Sequence, residues 1–173
     1  MTKPRGILVT DGYWRKTLAA VRALGRAGEH VVVGERTHFS PALFSRHARA
    51  VVYPSPESRP EEFARWLREA PGRFGCDVLM PMEEDTLLFA LDRRAEIPAA
   101  LPFAAAELVR HAGDKAWTLA RAAECGVPAP RTWAEPAAAE GNGPFVVKPG
   151  RGSGSRGLRH VDRAGLAAAW RPG

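Results

Sequence analysis

Short apolar runs alternate with longer segments of helical periodicity through the first hundred residues, and this alternation constrains the fold more than any other feature. Gly6 to Thr10 (GILVT) is apolar and strand-sized, Asp11-Gly12 turns the chain, and Trp14 to Ala27 sets Leu18, Val21 and Leu24 at the spacing of one helical face. Gly28 is a helix stop, and His30 to Gly34 (HVVVG) is a second, β-branched strand. The unit then repeats loosely. A third strand is expected at Ala50 to Tyr53, bounded by Pro54 and Pro56, and a helix at Glu61 to Ala70 with Phe63, Trp66 and Leu67 on one face. A fourth strand at Cys76 to Met80 leads into a helix at Glu84 to Arg94, with Leu87, Leu88 and Leu91 turned inward. Strands that are apolar throughout predict a parallel sheet covered on both faces by helices.

Open α/β sheets of this kind bind ligands at the carboxyl ends of their strands. Here those ends are Thr10-Asp11-Gly12, Glu35-Arg36 and Pro81-Met82-Glu83-Glu84-Asp85, three loops expected to line one crevice. Asp11, Glu83 and Glu84 are therefore candidate substrate-binding residues. Glu84 and Asp85 also suit a second role, as acids at the positive end of the helix that follows.

A 45% hydrophobic content is enough for a buried core and argues against disorder in a chain of 173 residues. The apolar stretches are far shorter than the roughly 20 residues that a membrane-spanning helix needs. Met1-Thr2-Lys3-Pro4-Arg5 runs into the first strand without an extended apolar segment or a small-residue cleavage site, so a cytoplasmic protein with no membrane partner is expected. Cys76 and Cys125 have no metal-ligand spacing and read as buried small residues kept as thiols in a reducing compartment. The five histidines show no paired spacing, and no metal site is expected from the residues present. The formal charge of +6 suits an anionic partner. Apart from Lys3, Lys16, Lys115 and Lys148 the basic residues are all arginines, scattered singly without interleaved aromatics, so nucleic acid is not the expected partner.

The pattern changes after about residue 112. Asp114 to Cys125 reads as a helix with Asp114 as its N-cap, Gly126 as its stop, and Pro128 and Pro130 just beyond. A short strand at Arg131 to Ala134 and a Pro/Ala/Glu/Gly loop precede a strand at Phe145 to Lys148. A glycine-rich loop (Pro149 to Gly157), another strand (Leu158 to Val161) and a helix beginning at Asp162 follow. Gly152-Ser153-Gly154-Ser155-Arg156-Gly157 matches G-x-G-x-x-G, a pattern whose meaning depends on its neighbours. A dinucleotide fingerprint opens a helix, whereas this loop opens a strand, and no Walker A sequence occurs. What remains is a glycine loop at the tip of a hairpin. Its backbone N–H groups can lie over phosphates as they do in protein kinases, except that here Lys148 ends the strand before the loop rather than following it.

The order strand, Lys-Pro, glycine loop, strand resembles the ATP-grasp superfamily. Four successive blocks carry the resemblance: Asp114-Lys115; Gly126-Val127-Pro128-Ala129-Pro130; Pro144-Phe145-Val146-Val147-Lys148-Pro149; and Gly152 to Gly157. They are similar to the blocks of carbamoyl phosphate synthetase large-subunit-like carboxylate-amine ligases. The segment before them, including Asp77-Val78-Leu79-Met80-Pro81 and the acids after it, is similar to the domain that precedes the ATP-grasp core. The resemblance implies a Rossmann-like open parallel sheet over 1–112 as the pre-ATP-grasp domain. Residues 113–173 would form the N-terminal subdomain of the ATP-grasp fold, truncated. It further implies that Lys115 and Lys148 touch the phosphates of ATP, and that Gly152, Ser153, Gly154, Ser155, Arg156 and Gly157 form the loop over them.

Enzymes of that family couple ATP hydrolysis to bond formation. A substrate carboxylate attacks the γ-phosphate to give an acylphosphate, which an amine or similar nucleophile then captures, with Mg²⁺ stabilising the developing charge. The resemblance implies that the Mg²⁺ ligands belong to a later C-terminal lobe that this sequence does not reach, supplied by a longer chain or by a second polypeptide. Two other readings stand beside it. One is the nucleotide-sugar-binding half of a glycosyltransferase-like protein, suggested by Ala23 to Val33 (ALGRAGEHVVV); the other is a non-catalytic nucleotide-binding module.

Overall fold

In the computed structural model, which describes residues 6–152 and 157–171, the chain divides into two compact units, Met1–Ala106 and Glu107–Gly173. The first is built on four parallel strands in the order β3-β2-β1-β4. These are β1 (Ile7–Val9), β2 (Val31–Glu35), β3 (Arg49–Val52) and β4 (Val78–Met80). β1 pairs with β2 through Ile7↔Val31 and Val9↔Val33, and with β4 through Ile7↔Val78 and Val9↔Met80. All residues of β1 and β2 are buried, which is why both strands are apolar at nearly every position rather than at alternate ones. Ile7, Val9, Val31 and Val33 share one face with Val21 and Ala42, and the pleat turns Leu8, Val32 and Leu79 to the other. β3 is an edge strand and largely exposed, with Arg49 over the ring of Phe74.

The helices follow the expected periodicity with shifted ends. α1 (Arg15–Arg26) buries Thr17 and Val21, and packs Leu18 and Leu24 against the core. α2 (Pro60–Phe74) outruns its expected end at Ala70 by one turn, passing through Pro71. Proline ordinarily disrupts a helix interior, but Pro71 lies in the last turns and is fully buried, so packing offsets the lost hydrogen bond. The end is closed by Gly75, at φ 67°, and by Cys76 N donating to the Pro71 carbonyl. α3 (Glu84–Asp92) follows β4, and Phe89 joins Tyr53, Phe63 and Trp66 in an aromatic cluster with ring centroids 4.9–5.8 Å apart.

α4 (Ala106–Ala112) starts at the boundary, and the second unit goes on with α5 (Lys115–Glu124), β5 (Phe145–Val147), β6 (Arg159–Val161) and the short α6 (Leu166–Ala169). β5 and β6 form the expected antiparallel hairpin, in the register Phe145↔Val161, Val146↔His160 and Val147↔Arg159. Its small core is Phe145, Ala139 and Leu166, with Trp133, Val147 and Val161 packed around them. The strand expected at Arg131 to Ala134 does not form. No ladder partner adjoins the segment, and Trp133 is held by its edge-on contact with Phe145 instead. Nor does a helix start at Asp162: that carboxylate accepts from Gly165 N at 2.8 Å in a turn, and the helix begins at Leu166. α4, a helix of seven residues, was not anticipated from the sequence. No helix among the described residues is long and apolar enough to cross a membrane.

Candidate functional site

The hairpin puts the two ends of the glycine loop side by side. Beyond the last pair of the ladder, Val147↔Arg159, the chain leaves β5 as Lys148-Pro149-Gly150-Arg151-Gly152 and returns through Gly157 and Leu158. Lys148 is exposed at the root of this loop. Gly157 has φ 74°, and a Cβ built there would lie 2.9 Å from Pro149 Cγ, closer than carbon atoms approach. Only glycine meets both conditions, so the proline after Lys148 and the glycine at the far side of the loop form one tight neck. Gly152 is also left-handed, at φ 94°. Ser153, Gly154, Ser155 and Arg156 lie outside the described residues.

The N-terminus of α5 abuts the start of this loop. Asp114 is its N-cap, with Oδ1 accepting from Ala116 N at 2.9 Å and Trp117 N at 3.2 Å. These backbone donations, that of Trp117 foremost, hold the Asp114 carboxyl below the usual carboxylate range, and the nearby Arg151 and His111 add to the effect. Lys115 N donates to the Gly150 carbonyl at 3.0 Å, so the first three N–H groups of α5 are all satisfied within the unit. The helix end is therefore capped by protein rather than open to an anion. The Lys115 side chain folds the same way, with Nζ donating to the Gly152 carbonyl at 2.8 Å and lying 3.4 Å from that of Gly150. Arg151 completes the seam at 3.9 Å from Asp114. Lys115 and the start of the loop are thus brought together. The role of the Gly150 carbonyl and the Arg151–Asp114 pair were missed, because a backbone acceptor leaves no sequence signal.

In the first unit, Asp11 and Glu83 are neighbours. Asp11 is the residue after Thr10 at the end of β1, adopts φ 62° and is 6% exposed. Its carboxylate accepts five hydrogen bonds. Tyr53 and Thr86 hydroxyls reach Oδ1 at 3.1 and 2.8 Å; the Thr10 hydroxyl, Met82 N and Glu83 N reach Oδ2 at 2.7, 2.9 and 3.0 Å. Every acceptor direction of the side chain is taken by the protein itself. Glu83 is the N-cap residue of α3, and its carboxylate pairs with Lys16 at 2.6 Å, while Glu84 is exposed in the first turn. Glu35, buried at the end of β2, turns both oxygens back onto the chain, accepting from Tyr13 N at 2.8 Å and Arg36 N at 2.7 Å. Periodicity does not announce Tyr53 and Thr86 as partners of Asp11, since they lie 42 and 75 residues away.

No family model and no curated protein matches the chain at the sequence level. Solved structures do. An L-amino acid ligase from Bacillus licheniformis superposes on 97% of this chain, covering 42% of the ligase, with a TM-score of 0.66 and 19% identity. A biotin carboxylase from Campylobacter jejuni in complex with βγ-ATP superposes on 96% of this chain and 40% of its own, with a TM-score of 0.66 and 20% identity. The chain shares the α/β fold of these enzymes. A third match, the biotin carboxylase domain of the Hydrogenobacter thermophilus 2-oxoglutarate carboxylase in complex with MgADP, ADP and bicarbonate, has a TM-score of 0.67 at 18% identity. It covers 97% of this chain and 40% of its own. The chain spans about two fifths of the length of the solved structures it matches.

Proposed function

We propose that this chain is the ATP-binding portion of an ATP-grasp ligase similar to the carbamoyl phosphate synthetase large subunit, one that activates a carboxylate as an acylphosphate for attack by an amine or similar nucleophile. One observation carries the reading: the Lys115 ammonium lies 2.8 Å from the Gly152 carbonyl, against the same glycine loop that Lys148 enters from β5. The residues fit a polyphosphate. Lys115 contacts and Lys148 precedes a loop whose positive-φ Gly152 and Gly157 carry no side chains, an arrangement suited to phosphate oxygens at close range.

In this reading Lys115 and Lys148 hold and neutralise the phosphates, and the loop backbone covers them. The carboxylate oxygen attacks the γ-phosphorus, ADP departs, and the amine displaces phosphate from the acyl carbon. Mg²⁺, when bound, would neutralise charge that develops on the phosphates, and no cluster of three or more His, Cys, Asp or Glu able to hold a metal occurs among the described residues. Its ligands are proposed to come from a C-terminal lobe, in the same protein or in a second polypeptide. Glu83 and Glu84 are the proposed contacts to the small-molecule substrates, with Asp11 holding the turn that carries them. A cytoplasmic setting, rich in ATP and reducing toward both thiols, is part of the proposal.

Titration calorimetry with Mg·ATP tests the reading on the wild type, Lys148→Ala and Lys115→Ala. Each substitution is expected to weaken binding about ten- to a hundredfold, as for loss of a charged hydrogen bond. Wild-type binding left intact in both variants, or tighter binding of uridine nucleotides than of ATP, would overturn the assignment.

A further inference from the structure

Lys115 is committed twice over to the start of the glycine loop. Its backbone N–H and its ammonium both point at the start of the glycine loop: the N–H reaches the Gly150 carbonyl at 3.0 Å, and Nζ reaches Gly152 at 2.8 Å and Gly150 at 3.4 Å. Arg151, between those two glycines, faces Asp114 on the other side of Lys115. Interleaved contacts therefore stitch residues 114–115 to residues 150–152, and two of them come from one ammonium group. Gly150 and Gly152 make no side-chain contribution of their own, and a Cβ added at either would meet nothing within 4 Å. The start of the loop thus lacks packing to hold it and depends on polar contacts. An ammonium has three donors, so two carbonyls leave one hydrogen free for a further acceptor.

We propose that Lys115 is a positioning residue that pins residues 150–152, at the start of the glycine loop, through the Gly150 and Gly152 carbonyls in the nucleotide-free protein, so that this segment is pre-ordered when a phosphate takes the remaining donor. This rests on the nucleotide-binding reading for its purpose, though not for its geometry. Pre-ordering lowers the entropy that binding must spend on the loop. It also makes Lys115 act partly through the backbone, a role different from that of a cation which only meets phosphate.

Trypsin reads this directly, because the Arg151–Gly152 bond lies inside the pinned segment and cleavage requires local opening. In the full chain without nucleotide, Lys115→Met, which keeps the apolar stem and removes the ammonium, is expected to speed cleavage at Arg151 about fivefold, the scale of one ordinary, solvent-competed hydrogen bond. Lys115→Arg, which retains a cation able to reach carbonyls, is expected to restore slow cleavage. Cleavage at Arg121, inside α5, serves as the control and is expected to stay constant. Equal rates at Arg151 in the wild type and Lys115→Met would overturn the proposal. So would matching acceleration at Arg121, which would mean that the whole helix had loosened, or a failure of Lys115→Arg to rescue. The two readings separate cleanly: slow cleavage at Arg151 that depends on Lys115, in a protein that binds no ATP, keeps the pin and removes the nucleotide assignment. ATP binding that depends on Lys115 with unchanged cleavage does the reverse.

Discussion

The Tyr53 hydroxyl lies 3.1 Å from Asp11 Oδ1 and 3.1 Å from Asp11 N, so one side chain 42 residues downstream both donates to and accepts from the residue at the end of β1. With Thr86 on the same carboxylate oxygen, and Met82 N and Glu83 N on the other, Asp11 joins the ends of β1 and β4 to the residue that follows β3. A buried carboxylate with five donors is the point where these loops are held in register.

Replacing Asp11 by Ala leaves those donors without an acceptor, and keeps a side chain in a left-handed conformation. The expected loss is about 3 kcal/mol or more in urea unfolding, since buried unsatisfied donors cost about 1–3 kcal/mol apiece and do not all find water. A loss below about 0.5 kcal/mol, the range of an ordinary surface substitution, would mean that the network does not form in solution.

The Tyr53 phenol is pushed far above its ordinary range, first by burial and then by the negative charges of Asp11 and Glu35. A raised folded-state value means that the native protein holds the proton longer than the unfolded chain does. Tyr53 therefore contributes fully below the unfolded value of about 10, and that contribution drains away as pH rises beyond it. Between pH 10 and 11 the wild type should lose up to about 1.4 kcal/mol more than Tyr53→Phe, which has no proton to give up. Denaturant curves at several alkaline pH values measure the difference; parallel decline in the two proteins would contradict it.

The neck of the glycine loop predicts a contrast between two glycines. Gly157→Ala must accommodate φ 74° and a Cβ 2.9 Å from Pro149 Cγ, whereas Gly150→Ala meets open space. The left-handed conformation alone costs about 1–2 kcal/mol for an L side chain. Gly157→Ala is thus expected to weaken Mg·ATP binding about tenfold by calorimetry, and Gly150→Ala to change it little. Equal effects would show that the neck does not shape the site.

Much of this was legible from residue order. The apolar runs at Ile7–Val9 and Val31–Glu35 announced buried parallel strands, because only a strand covered on both faces tolerates such runs. Asp114 read as an N-cap is an N-cap, and the segment around Phe145 to Val161 is the hairpin its glycines implied. The misreadings have local causes. The helix expected to end at Ala70 runs on through the buried Pro71; Arg131 to Ala134 looked like a strand, yet no strand among the described residues pairs with it; and Cys125, expected to be buried, is exposed.

The sequence by itself determined most element types, the parallel α/β layout and the place of the glycine loop in the chain, because side-chain period and turn chemistry act over a few residues. Tertiary structure alone decided how the candidate residues are used. Asp11 is enclosed by Tyr53, Thr86 and two backbone amides, Glu83 is paired with Lys16, and Lys115 is turned onto the Gly150 and Gly152 carbonyls. Those partners lie 35 to 75 residues away or are backbone atoms that every residue carries, and only the folded chain brings them within hydrogen-bond reach.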